Sequence, residues 1–116
     1  MITITLPWPE IDTSLNARIH WAKRSSAARE AQLTGIVAAR EAYLGTLEPC
    51  AHPVRIVFHP PNKRRRDIDN LHTRCKHQLD GICKAYSIDD SLLHPVTLDI
   101  GEIRYGGAVV VTIDPL

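Results

Sequence analysis

The segment Lys63-Arg64-Arg65-Arg66-Asp67-Ile68-Asp69-Asn70 runs four cations straight into two carboxylates spaced i, i+2, with an amide beside them. In an extended backbone, side chains two residues apart point the same way. Asp67 and Asp69 can therefore address one point wherever the chain is still extended. Two hard oxygen donors converging on a point suit a divalent cation such as Mg²⁺. The adjoining cations Lys63, Arg64, Arg65 and Arg66 attract a phosphate-rich polymer, and a metal held there can activate water and clamp the phosphate under attack. A second acidic pair, Asp89-Asp90, lies downstream and can complete the site. The pattern points to a metal-dependent nuclease centre. A plainer reading competes with it. Aspartates at the start of a helix cap free N–H groups and oppose the helix dipole, a basic run can be a solvated loop, and Asp89-Asp90 can be a polar turn.

Size and composition bound the possibilities. The chain has 116 residues, enough for a single domain spanning 1–116 and too few for two. Hydrophobic residues make up 44% and charged residues 23%, which suits a globular chain rather than a disordered one. No apolar run approaches the roughly 20 residues that span a bilayer, so no membrane association is expected. The opening Met1-Ile2-Thr3-Ile4-Thr5-Leu6-Pro7 lacks the features of a secretory signal. Three cysteines without CxxC spacing suit a reducing cytoplasm rather than a disulfide framework. The formal net charge is only +1. That argues against very tight non-specific DNA binding, although a local run such as Lys63–Arg66 can bind phosphates without a high total.

The elements that must position these residues follow from periodicity. Ile2–Leu6 alternates as a half-buried strand ended by Pro7 and Pro9. From about Ser26 to Leu44, apolar Leu33, Ile36, Val37, Tyr43 and Leu44 recur at helical spacing, with Ser25 or Ser26 as cap and Gly45 just past the end. Val54–His59 reads as a strand closed by Pro60-Pro61. Ile68, Leu71, Cys75, Leu79, Ile82, Cys83 and Tyr86 form a helical stripe whose entrance holds Asp67 to Asn70. Val96–Tyr105 and Ala108–Ile113, joined at Gly106-Gly107, read as a β-hairpin. The expected fold is α+β, a mixed sheet with two main helices in the order β-α-β-α-β-β.

With these residues in view, Ile4-Thr5-Leu6-Pro7-Trp8-Pro9, Arg64-Arg65-Arg66-Asp67-Ile68-Asp69-Asn70-Leu71 and Ile88-Asp89-Asp90 together resemble the RusA-like Holliday junction resolvases. The resemblance covers most of the chain in the same order. It implies a homodimer that binds four-way, branched double-stranded DNA and cuts paired strands with Mg²⁺ or Mn²⁺. It places the essential carboxylates on Asp67, Asp69 and Asp90. The family's helical lysine falls by spacing on Thr73, but its K-x-x-x-D pattern is reproduced by Lys76-His77-Gln78-Leu79-Asp80 after a three-residue insertion. The lysine role is accordingly placed on Lys76, with Arg74 next in line. The low net charge departs from what a junction binder of this kind would show.

A straight helix from Asn70 to Tyr86 would carry the chain about 25 Å from Asp69. Asp90 can join Asp67 and Asp69 only by doubling back or by coming from a second protomer. Among the other candidates, His72, Cys75 and His77 fall on different helix faces, and Cys75 and Cys83 read as packed thiols. His20, beside Trp21, reads as core cover, and Trp8 reads as a packing anchor. Two functions from different classes stand: a metal-dependent structure-selective endodeoxyribonuclease, and a non-catalytic nucleic-acid-binding or assembly module whose aspartates are helix caps. A glycosyltransferase, suggested by the D-x-D spacing, has no room for a nucleotide-sugar domain.

Overall fold

The computed structural model describes residues 1–9 and 21–114, with residues 21–24 described by backbone alone. His20 and the side chain of Trp21, read from the sequence as core cover, lie outside the described residues. The elements run β1 (Ile2–Pro7), α1 (Trp21–Ala42), β2 (His52–His59), α2 (Ile68–Arg74), α3 (Lys76–Ala85), a 3₁₀ turn (Asp90–Leu92), β3 (Leu93–Ile100) and β4 (Ala108–Ile113). They build an α+β domain around a mixed four-stranded sheet in the order β1-β4-β2-β3.

Alternation sets the sheet's two faces. Ile2, Ile4 and Leu6 of β1, Val54, Ile56 and Phe58 of β2, and Val109, Val111 and Ile113 of β4 are all buried. The register places Ile4 beside Val111, Val111 beside Ile56, and Ile56 beside Leu98, one continuous apolar row. The stripe predicted for the second helix faces this row, with Leu71, Cys75, Leu79, Ile82 and Tyr86 all in the core. Each such aliphatic side chain, once buried, stabilises the fold by about 1.5–3 kcal/mol. The Tyr86 hydroxyl donates to the Ala39 carbonyl at 2.6 Å and ties α3 to α1.

Four expectations change. The predicted second helix is two helices that meet at Cys75, whose N–H is shared between the Leu71 and His72 carbonyls at 3.2 Å each. Such forked bonding tightens the last turn of a helix. The first helix starts at Trp21, so Ser25 and Ser26 lie inside it rather than capping it. Its apolar stripe also does not face the core, since Leu33 and Val37 remain 62% and 55% exposed. What enters the core side of α1 is small: a Cβ on Gly35 would collide with the Gln78 carbonyl of α3, and one on Gly81 with the Gln32 carbonyl of α1. Backbone approach this close excludes a leucine at the contact.

The fourth change concerns the hairpin. β3 and β4 are not partners, because β2 lies between them, parallel to β3 and antiparallel to β4. A parallel pair needs a long crossover, which α2 and α3 supply. The chain leaving β3 then passes over the end of β2 instead of folding back on β3. Gly101 N–H donates to the Phe58 carbonyl at 2.9 Å and Arg104 N–H to the Pro60 carbonyl at 3.0 Å. Gly106 and Gly107 do make a turn, with φ of 76° and 74°, but it delivers the chain to the slot between β1 and β2.

Candidate functional site

Two clefts flank α2. The first, of about 380 Å³, is lined by Trp8, the arginines 64, 65, 66 and 74, Asp67, Asn70 and Leu71. Lys63, Arg64 and Arg65 are exposed, whereas Arg66 is half-buried and braces its own loop. Its guanidinium donates to the Asn62 carbonyl at 3.1 Å, the Arg64 carbonyl at 2.8 Å and Asn62 Oδ1 at 2.8 Å. Its Cζ also lies 5.4 Å from the centroid of the Trp8 ring, a cation–π contact. Trp8 in turn packs beside Gly107. Arg74 donates from Nη2 to the Pro9 carbonyl at 2.9 Å. The cleft therefore has a braced wall, Arg66 and Arg74, and two exposed cations, Arg64 and Arg65.

Asp67 is the last extended residue before α2, at φ −94° and ψ 125°, and its Oδ1 accepts the Asp69 N–H at 2.9 Å. It is the N-cap of α2, as the plainer reading expected. Because the helix begins at Ile68, Asp67 and Asp69 do not share an extended backbone, and the i, i+2 convergence expected of a strand is absent. Asp69 is exposed in the first helical turn, while buried Leu71 anchors that turn in the core.

The second cleft, of about 300 Å³, lies against β2 and β3. Its floor is apolar, with Val54, Ile56, Leu79, Leu93 and Val96, and its rim carries His72, Thr73, Lys76, Asp80 and Asp90. Asp90 arrives there by doubling back within its own chain. Ser87 takes a left-handed φ of 56°, and Ile88 N–H returns to the Cys83 carbonyl at 3.0 Å. Asp89 then caps the 3₁₀ turn by accepting the Ser91 N–H at 3.0 Å, repeating what Asp67 does for α2. That bond, with one from Asp90, holds the Asp89 carboxyl below its usual range.

His72, on the rim of the second cleft, lies between charges of opposite sign. Burial holds its imidazole below the ordinary pKa, Lys76 one turn on pushes the same way, and Asp69 opposes them. Asp80, Asp89 and Asp90 all act on Cys83, whose thiol burial chiefly pushes up to about 12; burial pushes Cys75 to about 12 as well. Both thiols are inert packing groups at neutral pH, as their place on the stripe implied.

Of the predicted site residues, Asp67 shares a cleft with Arg64, Arg65 and Arg66, and Asp90 shares one with Lys76. Lys63 and Asp69 line neither, and Asp90 is not brought into the cleft of Asp67. Arg74, the fallback for the lysine role, belongs to the arginine cleft, whereas Lys76 and Thr73 open onto the same pocket as Asp90. No ion pair joins Lys76 to Asp80 among the described residues; Asp80 lies 3.9 Å from His77 Nδ1. Among the described residues no three His, Cys, Asp or Glu side chains are gathered closely enough to cage an ion. Sequence reasoning missed His72, Thr73 and Asp80 as pocket residues. The signal was there, since residues 72, 76 and 80 recur at i, i+4, i+8 in the sequence, the first on α2 and the other two on α3.

The fold and clefts define an α+β domain with a cation-lined groove beside a carboxylate pocket. No family model matches the sequence. The chain is 40% identical over 118 residues to an uncharacterized protein of Xylella fastidiosa, covering 97% of this chain and 76% of that one. It is 30% identical over 116 residues to the crossover junction endodeoxyribonuclease RusA of Shigella sonnei, covering 96% and 92%. It is also 30% identical over 115 residues to the RusA of Enterobacteria phage 82, covering 95% and 91%. The chain belongs to the RusA crossover junction endodeoxyribonuclease family.

Proposed function

We propose that the chain is a metal-dependent endodeoxyribonuclease that cuts four-way DNA junctions as a homodimer in the cytoplasm. The observation that carries this reading is a carboxylate, Asp67, set into the wall of an arginine-lined cleft at the entrance of α2. Arg66 and Arg74 brace the wall of that cleft, whereas Arg64 and Arg65 are exposed in it and have no bracing role of that kind. The full-length likeness to the two RusA enzymes supports the choice of reaction and substrate.

The donor set fits Mg²⁺ or Mn²⁺. Asp67 and Asp69 are exposed hard-oxygen donors at the entrance of α2 and Asp90 is a third in the neighbouring cleft, and among the described residues no ion pair neutralises any of them. Mg²⁺ is commonly held by one or two carboxylates together with substrate phosphates and water, so an open arrangement suits it better than a closed cage. When bound, the ion supplies an activated water and charge neutralisation at the scissile phosphate. The chain's own residues do the rest. Arg64 and Arg65 hold the DNA backbone in register, as phosphate contacts do. Arg66 keeps the loop in shape through Asn62 and Trp8. Lys76 offers a cation beside Asp90, where charge developing on the phosphate can be offset. Two-fold symmetry of the dimer matches the pairing of cuts across a junction.

One observation favours a second reading. Asp67 and Asp89 both cap helical turns, as they would in a binding module without catalysis. Incubation of labelled four-way junction with the protein, with Mg²⁺ and with chelator, separates the two. Paired nicks that need the ion support the nuclease, and junction binding without cleavage under any divalent ion supports the module.

A further inference from the structure

Tyr105 is the most exposed aromatic side chain among the described residues, whereas Phe58 and Tyr86 are wholly buried. A single apolar group in water is ordinary on a protein surface and by itself signals nothing. What sets this ring apart is the loop that holds it. Between β3 and β4 the chain runs Gly101-Glu102-Ile103-Arg104-Tyr105-Gly106-Gly107, and hydrogen bonds fix both its ends. Gly101 N–H donates to the Phe58 carbonyl, and the Glu102 carbonyl accepts from His59 Nδ1 at 2.9 Å. Arg104 N–H reaches the Pro60 carbonyl, and Gly107 N–H closes a turn on the Arg104 carbonyl at 2.9 Å. Gly106, at φ 76°, takes the left-handed third place that a type II turn requires. Tyr105 holds the second place of that turn, so an anchored backbone presents its ring to solvent.

This loop lies against the arginine cleft. Gly107 packs on Trp8, the ring that also meets the Arg66 guanidinium and lines that cleft. Arg104 is bonded to Pro60, two residues ahead of Asn62, where the bracing of the arginine loop begins. Exposed Arg104 adds a cation at the tip, and Glu102 at the base is the one carboxylate of the loop. A solvent-facing ring beside clustered cations suits nucleic acid, with the cations on the backbone and the ring on a base. A continuous duplex keeps both faces of each internal base covered by its neighbours. At the centre of a four-way junction that stacking is interrupted, and base faces are open to contact. Phosphate contacts carry no such distinction.

We infer that Tyr105 is a specificity-determining residue, which stacks on an unstacked nucleobase at the branch point of DNA held by the arginine cleft. The inference rests on the junction-cutting reading above and deepens it, because it names the group that tells a branch from a plain duplex. A ring carried on a preorganised turn loses little freedom on binding. A protein partner fits this tip less well, because the loop is continuous with a cleft of cations.

Binding curves of the full chain in chelator, where nothing is cut, test this with a four-way junction and a linear duplex of matching arm sequence. Tyr105→Ala should weaken junction binding about tenfold, the scale of one lost base stack, and leave duplex binding unchanged. Tyr105→Phe keeps the ring and should bind the junction as wild type does. Tyr105→Ala should also keep the wild-type salt slope, because no charge is removed. A junction with abasic sites at its branch point offers no base to stack on. Wild type should bind it about tenfold more weakly than the intact junction, and no better than Tyr105→Ala does. Melting temperatures should match throughout, because the ring is in solvent. Equal junction binding by wild type and Tyr105→Ala, an equal loss on both DNAs, or indifference of wild type to the abasic sites overturns the inference. Cleavage under Mg²⁺ is read separately. Junction cutting by a protein indifferent to Tyr105 overturns only this inference, and Tyr105-dependent junction selectivity without cleavage under any divalent ion overturns only the nuclease.

Discussion

The carboxylate of Asp67 accepts the backbone N–H of Asp69 at 2.9 Å, so the two acids of the D-x-D motif are joined by a helix cap. That bond makes Asp67 structural, whatever else it does. Asparagine caps helices about as well as aspartate, and alanine does not. Asp67→Asn is expected to keep wild-type stability, while Asp67→Ala loses about 1 kcal/mol in urea unfolding. Equal losses for both would show that the bond contributes nothing.

The arginines divide by task. Arg64 and Arg65 are exposed in the cleft, and each is expected to neutralise a DNA phosphate. Replacing both with Ala should make the slope of log K against log salt shallower by roughly 0.9 for every phosphate left without its cation. Arg66 makes three hydrogen bonds to Asn62 and Arg64 and stacks on Trp8. Arg66→Ala should therefore loosen the loop, detected as faster amide exchange at residues 62–66, in the absence of any DNA. Unchanged exchange would mean that Arg66 does not brace the loop.

His72 predicts a pH dependence with a definite sign. Its folded-state pKa lies below 6.5, chiefly through burial, so the unfolded chain binds the proton more readily. The group imposes no penalty above pH 6.5 and an increasing one as pH falls below it. Wild type should lose more stability than His72→Gln between pH 7 and pH 5, read as the difference in urea midpoints. A wild-type curve no steeper than that of the variant would contradict the assignment.

Lys76 lines the pocket that holds Asp90, one helical turn beyond Thr73. Lys76→Ala should reduce junction cleavage about a hundredfold, the scale expected when one positioned charge is removed from a reacting centre. Its melting temperature should barely move, because Lys76 is exposed and unpaired with Asp80. Wild-type cleavage by this variant would make Lys76 a surface cation only.

Much of this was legible from pattern. Alternation located β1, the β-rich run before Pro60-Pro61 located β2, the run after Gly106-Gly107 located β4, and the i, i+3, i+4 stripe from Ile68 to Tyr86 gave the core face of α2 and α3. What misled was α1, where the apolar residues suggested the wrong face. Gly35 and Gly81 let the backbones of α1 and α3 approach so closely that small residues form the contact, and periodicity does not register a glycine. The Gly106-Gly107 turn was visible, but a turn does not reveal that β2 separates the strands it joins. At the site, Asp67 with its arginines and Asp90 with Lys76 were legible from the sequence, whereas His72, Thr73 and Asp80 on the second cleft's rim were not. Nor was the division into two clefts, because it depends on the helix starting at Ile68 and on the reversal at Ser87.

The central claim is that Asp67 serves the chemistry as well as the helix, and Asp67→Asn isolates that claim because it removes the charge and keeps the cap. The measurement is the initial rate of Mg²⁺-dependent cleavage of a labelled four-way junction at saturating protein, beside a binding curve for the same DNA. The account predicts that Asp67→Asn binds the junction at least as tightly as wild type and cuts it at least about a hundredfold more slowly. Cleavage at the wild-type rate would leave Asp67 a helix cap and nothing more.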